Sequence, residues 1–374
     1  MMAVTPQLNL QNVIGRVPDK MLAAVYHGVN DVRMEVVRVP EIGQDELLVR
    51  IHTCGICGTD LKKVATGSHS APRIFGHEMA GVVVRTGKGV TKFAEGDRVM
   101  VFHHIPCRKC FYCSKKVFAQ CETYKRVGTT AGYGEPSGGG FAEYIRVMDW
   151  IVNDGGVIRI PDGVSFEQAS HIEPVNTVWK AIDTLAPRAD ETVLVIGQGP
   201  IGLLLSYLAK RRGATVLTSD LFDQRLTMSA GYGLTNSINA STTNVVARVR
   251  ELTEARGADA VVLAVGGDSL IRTALDAARP GGRVMLFAQT VRSEAKFDPA
   301  SVCVDEKTLL GSYSASVELN DEVTRFVFSR EMNLETLYSH RFPLEHALDA
   351  LKLAAHPQPD TMKIAVQPGS NWEG

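Results

Sequence analysis

Four of the seven cysteines lie in one short stretch, CRKCFYCSKKVFAQC, at residues 107–121. Four thiolates in one loop can close a tetrahedron around Zn²⁺ and leave no open position, which makes a structural site. Disulfides are an alternative, but a C-x-x-C-x-x-C ladder would strain them, and an iron–sulfur cluster is the rival metal interpretation. His103 and His104, just before the stretch, are predicted to be ordinary strand-end residues. The spacing favours a structural zinc whose ligands are Cys107, Cys110, Cys113 and Cys121.

A second cysteine pair, Cys54 and Cys57, lies in CGICGTD, after the strand-like run 46–51. Two thiols two residues apart can be a redox pair, half of a metal site or chance neighbours. His77 and Glu78 follow in GHEMAG, and Glu173 lies farther on in HIEPVN. Taken singly, these residues have structural explanations: a histidine beside a glycine is usually structural, and a glutamate before a proline usually begins a helix. Together, a cysteine, a histidine and a carboxylate can bind a catalytic zinc that keeps one position for water or substrate.

A glycine motif, GQGPIG, follows the buried-type strand TVLVIG and precedes a predicted helix. This context is the one that the dinucleotide-binding fingerprint requires, because the helix N-terminus offers free N–H groups to the phosphates. Asp220 ends the next strand and is expected to accept hydrogen bonds from the adenosine ribose and to repel a 2′-phosphate. Arg225 could contact the ribose or only solvate a helix face. The alternative is a glycine-rich turn in a non-binding domain. The predicted motif glycines are Gly197, Gly199 and Gly202.

The composition limits the class of protein. A chain of 374 residues suits two or three domains, and 45% apolar with 22% charged residues is typical of a soluble globular protein. With a net charge of −1 and a pI of about 6.8, neither nucleic acid nor a membrane is a favoured partner. The first twenty residues lack the pattern of a secretory signal. The odd number of cysteines and their clustering do not look like the disulfide framework of a secreted protein, whereas such clusters in a reducing cytoplasm are more often metal sites. The sequence therefore predicts a cytoplasmic protein.

The organisation changes near residue 174. Before it, short alternating strands such as 80–87, 97–102 and 141–147 are broken by glycine-rich turns, including 128–140, which predicts a β-rich domain, either a barrel or a rolled sheet. After it, strands predicted at 192–197, 259–267, 281–289 and 308–314 alternate with helices, as in a parallel sheet covered on both faces. Beyond about residue 315 we expect helices and one late strand, 362–367.

These features together resemble the zinc-containing medium-chain alcohol and polyol dehydrogenases, which include alcohol, sorbitol and threonine dehydrogenases. The resemblance runs from about Met21 to Val366 and rests on C-G-T-D at 57–60, G-H-E at 76–78, the cysteine loop, G-G-F-A-E-Y at 139–144, E-P at 173–174 and the glycine motif. It implies an α/β protein with a GroES-like β-rich catalytic domain and a Rossmann doubly wound parallel sheet. The expected domains are 1–174, with 1–20 as an N-terminal extension, then 175–314 for NAD binding, and 315–374 as the return to the catalytic domain.

The resemblance also implies roles for the second set of residues. Cys57 and His77 match ligands of the catalytic zinc, and Glu173 falls where polyol dehydrogenases carry a glutamate. Glu78 matches a carboxylate that can approach the metal or replace a ligand during exchange. The redox-pair interpretation then has little support, and Cys54 is expected to be a small buried residue.

Further roles follow from the same resemblance. Asp60 would orient His77, and Thr59 would accept the hydroxyl proton of the substrate into a relay. The family often has a relay histidine where this chain has Lys62, so proton transfer would end at other groups or at water. The remaining expected contacts with the cofactor are made by Thr177, which would touch the nicotinamide, Pro200 and Ile201.

The implied function is hydride transfer between NAD(H) and an alcohol/carbonyl pair, with two zinc ions per chain, one catalytic and one structural. A secondary alcohol, diol or polyol is the expected small-molecule substrate, although LLGSYSAS lacks the arginine that sorbitol-type relatives offer to polyol hydroxyls. The alternatives are a zinc-free quinone-reductase-like enzyme, an NADP-linked carbonyl reductase and a catalytically silent binding relative. A homodimer or homotetramer is expected.

Overall fold

The computed structural model describes residues 13–102, 105–123 and 139–369. The chain divides into two compact units. Unit 1 consists of Met1–Glu173 and Ser316–Gly374, and unit 2 is the continuous segment Pro174–Ala315. Among the described residues, no helix combines the length and the apolar character needed to cross a membrane.

Unit 1 is built mainly from two sheets. The smaller one has the order β2-β1-β4, and the larger one has the order β15-β16-β3-β5-β6-β8, with β7 also paired to β3. Strands β3 and β5 are buried along almost their whole length, which agrees with their apolar sequences LLVRIHTCG and EMAGVVVRT. The strands are β1 (Lys20–Gly28), β2 (Asp31–Arg38), β3 (Leu47–Gly55), β4 (Arg73–Ile74), β5 (Glu78–Thr86), β6 (Arg98–Val101), β7 (Tyr144–Val147), β8 (Val157–Arg159), β15 (Tyr338–Pro343) and β16 (Lys363–Gln367).

Short helices connect these strands. Most have fewer than ten residues, and the helix that begins at Ile172 continues into unit 2. They are α1 (Gly58–Thr66), α2 (Phe111–Ser114), α3 (Asp149–Asn153), α4 (Phe166–Ser170), α5 (Ile172–Leu185), α11 (Asn320–Ser329) and α12 (Ala347–Ala355).

Unit 2 is a six-stranded parallel sheet with the order β11-β10-β9-β12-β13-β14. This is the doubly wound order of a Rossmann fold, in which the first strand lies at the centre. The core beside the sheet is apolar and closed, and Leu194, Val261 and Val284 are completely buried. The elements are β9 (Thr192–Ile196), α6 (Pro200–Arg211), β10 (Thr215–Asp220), α7 (Asp223–Gly231), β11 (Asn236–Asn239), α8 (Val245–Leu252), β12 (Ala258–Leu263), α9 (Asp268–Ala277), β13 (Ala278–Leu286), α10 (Ala300–Cys303) and β14 (Thr308–Gly311).

The strands that the sequence analysis named are present, and the sheets also contain strands that it did not name, such as β1, β2 and β11. Beyond residue 315 there are two strands among the described residues, and only β16 was predicted. Strand β15 was not predicted because its sequence, YSHRFP, lacks an apolar alternation. Strand β3 also continues past residue 51 to Gly55, since its last residues pair with both β5 and β16. The expectations for His103, His104 and most of the glycine-rich connection 128–140 lie outside the described residues.

Candidate metal centres and cofactor site

Cys57 stands at the junction of β3 and α1. It is the N-cap residue of α1, and its Sγ accepts a hydrogen bond from Thr59 N at 3.5 Å. Asp60 completes a capping box, because its Oδ2 accepts from Cys57 N at 3.1 Å. The cap therefore fixes the thiol at the start of the helix and leaves it partly exposed. Its neighbour Cys54 is completely buried, as predicted.

His77 follows a glycine that the packing requires. Gly76 has φ of +97°, and a Cβ there would lie 2.8 Å from Cys54 Sγ. The His77 Nδ1 lies 3.1 Å from Asp60 Oδ1, and both side chains are buried, so Asp60 orients the ring as predicted. Burial alone would lower the pKa of His77, but the charges of Asp60 and Cys57 raise it well above its ordinary value. A metal ligand at this position would have to release that proton.

Three potential donor atoms come together here. One atom each from Cys57, His77 and Glu78 lies within 4.8 Å of the other two. Glu78 Oε1 is buried and has no hydrogen-bond partner among the described residues, a situation that a cation would relieve. A thiolate, an imidazole and a carboxylate are ligands that suit Zn²⁺, so the residues present fit this metal.

Glu173, the other predicted carboxylate ligand, is outside that three-residue group but is electrostatically coupled to it. Burial raises the pKa of Glu173 to about 7, against the opposing charge of His77 and with the help of the Glu78 carboxylate. Glu173 lies in the first turn of α5 and is buried. The structure therefore places both predicted carboxylates near His77, and direct metal binding by Glu173 stays a prediction.

Two buried lysines in this region were not predicted. Lys363, on β16, forms an ion pair with Glu78 Oε2, and both side chains are almost completely inaccessible to solvent. Lys63, on α1, lies with its Nζ 5.5 Å from the centre of the Phe75 ring, and burial lowers its pKa against the charges of Asp60 and Cys57. For Lys363, the sequence did offer one sign of burial, since the lysine lies inside the apolar strand MKIAVQ.

Thr59, the residue expected to relay the proton, and Lys62 both lie on α1, shortly after Cys57. Thr59 contacts the thiol through its backbone N–H, and its side chain is partly exposed. Lys62 is also partly exposed, and burial lowers its pKa against the charge of Cys57. The relay role of Thr59 stays a prediction.

The second cluster is the four-cysteine lobe, defined by Cys107, Cys110, Cys113 and Cys121, whose four sulfur atoms all lie within 4.8 Å of one another. The Sγ–Sγ distance is 3.5 Å between Cys110 and Cys113 and 4.0 Å between Cys107 and Cys113. A Zn–S bond of about 2.3 Å in a tetrahedron requires sulfurs about 3.8 Å apart, so these distances fit a closed zinc site. The pKa of Cys107 is lowered to about 6, mainly because its thiol accepts a hydrogen bond from the backbone N–H of Lys109.

The glycine motif of unit 2 has the local geometry of a dinucleotide-binding turn. Gly197 has φ of +93°, and Gly199 is the N-cap of α6, with Pro200 at its first position and Ile201 following. A Cβ on Gly202 would overlap the Gly197 carbonyl oxygen, whereas a Cβ on Gly199 would meet nothing within 4 Å. Gly202 therefore allows close helix packing, and Gly199 leaves room beside the helix N-terminus.

Asp220 ends β10 next to this turn. Its Oδ2 accepts from Gln198 N at 2.6 Å, and its Oδ1 accepts from Phe222 N at 3.1 Å. Arg225 Nη1 lies 3.7 Å from Asp220 Oδ2, and only 15% of the Arg225 side chain is exposed, so the interpretation of Arg225 as a solvated helix residue is wrong. Thr177 Oγ1 donates to Pro174 O at 2.9 Å, and its contact with a nicotinamide stays a prediction.

Two family models that describe dehydrogenases match this chain, and so do relatives named sorbitol dehydrogenase. The family model for the alcohol dehydrogenase GroES-like domain matches residues 43–162, and that for the zinc-binding dehydrogenase domain matches 200–329. The chain is 28% identical to sorbitol dehydrogenase of Bacillus subtilis (strain 168), with 94% of this chain and 98% of the relative covered. It is 30% identical to sorbitol dehydrogenase of Bombyx mori, with 89% and 94% covered.

Among solved structures, alcohol dehydrogenase TADH from Thermus sp. ATN1 is similar, with a TM-score of 0.80 and 30% identity over 93% of this chain and 99% of that one. These matches confirm the predicted GroES-like and Rossmann architecture. The chain therefore belongs to the zinc-containing medium-chain alcohol and polyol dehydrogenase family.

Proposed function

We propose that this oxidoreductase is a zinc-dependent, NAD-linked dehydrogenase that oxidises a secondary alcohol of a diol or polyol. The observation that carries the proposal is the convergence of the Cys57, His77 and Glu78 donor atoms within 4.8 Å, with Glu173 coupled to them. A complete donor set argues against a zinc-free reductase or a silent binding relative, because neither would need these side chains together.

The chemistry divides between the metal and the protein. When bound, Zn²⁺ supplies a Lewis acid that lowers the pKa of a coordinated alcohol. Cys57, His77 and one of the two carboxylates, Glu78 or Glu173, would hold it, and Asp60 keeps the His77 ring in one orientation through its hydrogen bond to Nδ1. The Thr59 hydroxyl, two residues from Cys57, would act as a relay that receives the alcohol proton while it passes its own proton on to the ribose hydroxyls or water. Hydride transfer itself belongs to the nicotinamide.

NAD is the proposed cofactor because β10 ends at Asp220, where the dinucleotide fingerprint predicts the carboxylate that binds the ribose. Since each 1.4 kcal/mol of discrimination is a factor of ten, we expect a preference over NADP of at least about tenfold, and Asp220→Ala should erode it by weakening NAD. The nearby Arg225 provides the control. If NADP supports equal turnover in the wild type and Arg225→Ala abolishes that use, the arginine selects the cofactor and the NAD assignment fails.

The proposed substrate class rests on Glu173 and on the relatives named sorbitol dehydrogenase. A carboxylate near the reacting hydroxyl offers an acceptor to a second, neighbouring hydroxyl. We therefore expect vicinal diols and polyols to be oxidised better than ethanol. A panel of alcohols assayed with NAD tests this, and ethanol outrunning every diol would refute the substrate class.

Metal analysis tests the core of the proposal. Gently purified protein should contain two zinc ions per chain, one at each donor set. A single zinc, or iron with visible absorbance, would contradict it. A cytoplasmic location and a homodimeric or homotetrameric assembly stay predictions.

A further inference from the structure

A basic stretch of the chain lies beside the donor group that contains Cys57. Residues 61–77 include no acidic residue, and with histidine counted as neutral they carry three positive charges, whereas the whole chain has a net charge of −1. Positive charge is therefore concentrated at one place in an otherwise balanced protein. The side chains that form this basic cluster are Lys62, Lys63, His69 and Arg73.

Phe75 connects the basic cluster to the donor group. The Nζ of Lys63 lies 5.5 Å from the centre of the Phe75 ring, and the centre of the His69 ring lies 5.9 Å from it in a T-shaped arrangement. Phe75 is buried, and it precedes the predicted ligand His77 by two residues. Lys63 and His69 therefore meet at a side chain that is anchored next to the donor group.

Arg73, on β4, is held in place by the loop that precedes it. Its Nε donates a hydrogen bond to Ser70 O at 2.9 Å, and its Nη2 donates one to Ser70 Oγ at 3.1 Å. In the same loop, Ser68 Oγ and His69 Nδ1 are 3.1 Å apart. Ser68 and Ser70 are exposed, and Arg73 and His69 are partly exposed. A guanidinium group with a fixed orientation beside exposed hydroxyls suits a phosphate or a carboxylate.

The charges of the cluster act on one another. Burial is the main cause that lowers the pKa of His69 to about 4, and the positive charges of Lys63, Arg73 and Lys62 lower it further. Lys62 also interacts with Cys57, whose charge raises the pKa of the lysine against the larger effect of burial. The three cations therefore produce one local positive field that extends toward the donor group, and such a field attracts an anion.

Helix geometry explains only one member of the cluster. Lys63 lies in the last turn of α1, where a cation interacts favourably with the helix dipole. Lys63 is also buried, and the charges of Asp60 and Cys57 favour its charged form. Arg73 lies outside the helix, and Lys62 is partly exposed beside the donor group, so neither explanation accounts for these two cations.

We propose that the basic cluster binds an anionic group, a phosphate or a carboxylate, on the polyol substrate. The inference rests on the proposed function, because it specifies the class of alcohol that the same site oxidises. Lys62 and Arg73, which are partly exposed, would contact the anion, and His69 would border it. Lys63 stays buried and adds its charge to the field. Polyols that bear an anionic group should therefore be better substrates than neutral polyols of the same length.

Matched alcohols test this preference. Sorbitol, its terminal phosphate ester and gluconate have carbon chains of the same length and differ in charge. With NAD, we expect kcat/KM of the wild type to be at least about tenfold higher for the better of the two anionic compounds than for sorbitol, the usual scale of one hydrogen bond to a charged group. The difference should shrink as the salt concentration rises. Comparison of the ester with gluconate shows which anion the cluster takes.

Variants test whether the cluster causes the preference. Arg73→Gln removes one cation and should reduce the preference by about tenfold, mainly through a higher KM for the anionic compound. Arg33→Gln is the matched control, since Arg33 is an exposed arginine of the same unit that is paired with Asp31 at 2.7 Å, and it should leave the preference unchanged. Lys62→Gln should act like Arg73→Gln, and it keeps the test decisive if that variant does not fold.

Inorganic phosphate probes the site without turnover. Titration calorimetry should show that phosphate binds the wild type more tightly than Arg73→Gln, and phosphate should inhibit in competition with the anionic alcohol. Competition with NAD instead would assign the cluster to the pyrophosphate of the cofactor and would overturn the proposal. Equal kcat/KM for sorbitol and both anionic compounds would also overturn it and would leave the proposed function intact. If no alcohol is oxidised, the proposed function fails, and phosphate binding that depends on Arg73 still supports the anion site.

Discussion

The two donor sets of unit 1 are built in opposite ways. The four-cysteine lobe takes all its potential ligands from residues 107–121, whereas the other set draws Cys57 from the start of α1 and His77 and Glu78 from the start of β5. Glu173, the further predicted ligand, comes from α5. A short loop can bring its own thiols together, but the second set exists only when several strands and helices have packed. Spacing in the sequence therefore defines the first site, and sheet register defines the second.

Their surroundings differ as well. The lobe is near the surface, where Cys107 and Cys110 are partly exposed and Phe111, directly after Cys110, is 66% exposed. In the second set Cys57 is partly exposed, but His77 and Glu78 are buried among charged groups, including Asp60 and Lys363. Charged groups are seldom buried without a functional or pairing reason. This contrast leads us to expect that damage to the lobe affects stability and that damage to the second set affects turnover.

The largest expected effect comes from Cys57→Ser. Loss of the thiolate should reduce turnover to near background while the fold remains, because the cap of α1 can be preserved by a serine hydroxyl. Turnover and far-ultraviolet circular dichroism of the same preparation provide the measurement. An unfolded variant, or one with near-normal turnover, would contradict the assignment of Cys57 to the site that controls turnover.

Thr59→Val tests the proton path of the second set. It keeps the shape of the side chain and removes the hydroxyl, and it should lower the rate by about two to four decades, the usual range for a general acid–base contribution. Thr66→Val, at the end of the same helix, removes a hydroxyl that donates to Lys62 O at 2.8 Å and serves as the matched control. Equal rates in the two variants would mean that Thr59 carries no proton.

Cys107→Ser should act mainly on stability. Losing a structural metal belongs to the class of changes that cost about 4 kcal/mol or more in unfolding free energy. Denaturant unfolding with and without a chelator measures it, and the chelator should affect the variant less than the wild type. Cys303→Ser, an exposed cysteine in unit 2, is the control. A stable Cys107→Ser protein without activity would reverse the roles of the two sites.

The smallest effect concerns the charge of Glu173 in metal-free protein. Burial and the Glu78 charge raise its pKa from 4.5 to about 7, so the folded state binds more protons than the unfolded state within that window. Its contribution to stability is therefore lost as the pH rises from about 4.5 to 7, by at most about 3 kcal/mol. Glu173→Gln should be more stable than the wild type at pH 8 and similar at pH 4. If the unfolding free energies of Glu173→Gln and the wild type changed with pH in the same way, the raised pKa of Glu173 would be contradicted.

The sequence predicts the local sites better than the assembled one. The cysteine ladder and the glycine motif are contiguous, and their surroundings could be inferred from neighbouring residues alone. The ion pair of Lys363 with Glu78 could not be inferred in this way, because the two residues are brought together only by the register of β16, β3 and β5. Strand β15 escaped prediction for a similar reason, since it is stabilised by parallel pairing with β16 and not by an apolar pattern of its own.

The position of β16 at the end of the chain also has a consequence for the order of folding. Unit 2 is continuous, but the end of β3 that carries Cys54 and Gly55 pairs with residues 365 and 366. Contacts this distant in sequence form slowly, because a long loop must close first. During synthesis the Rossmann sheet can be complete while this end of β3 still has an unpaired edge, and we therefore expect the pairing of Lys363 with Glu78 to form late.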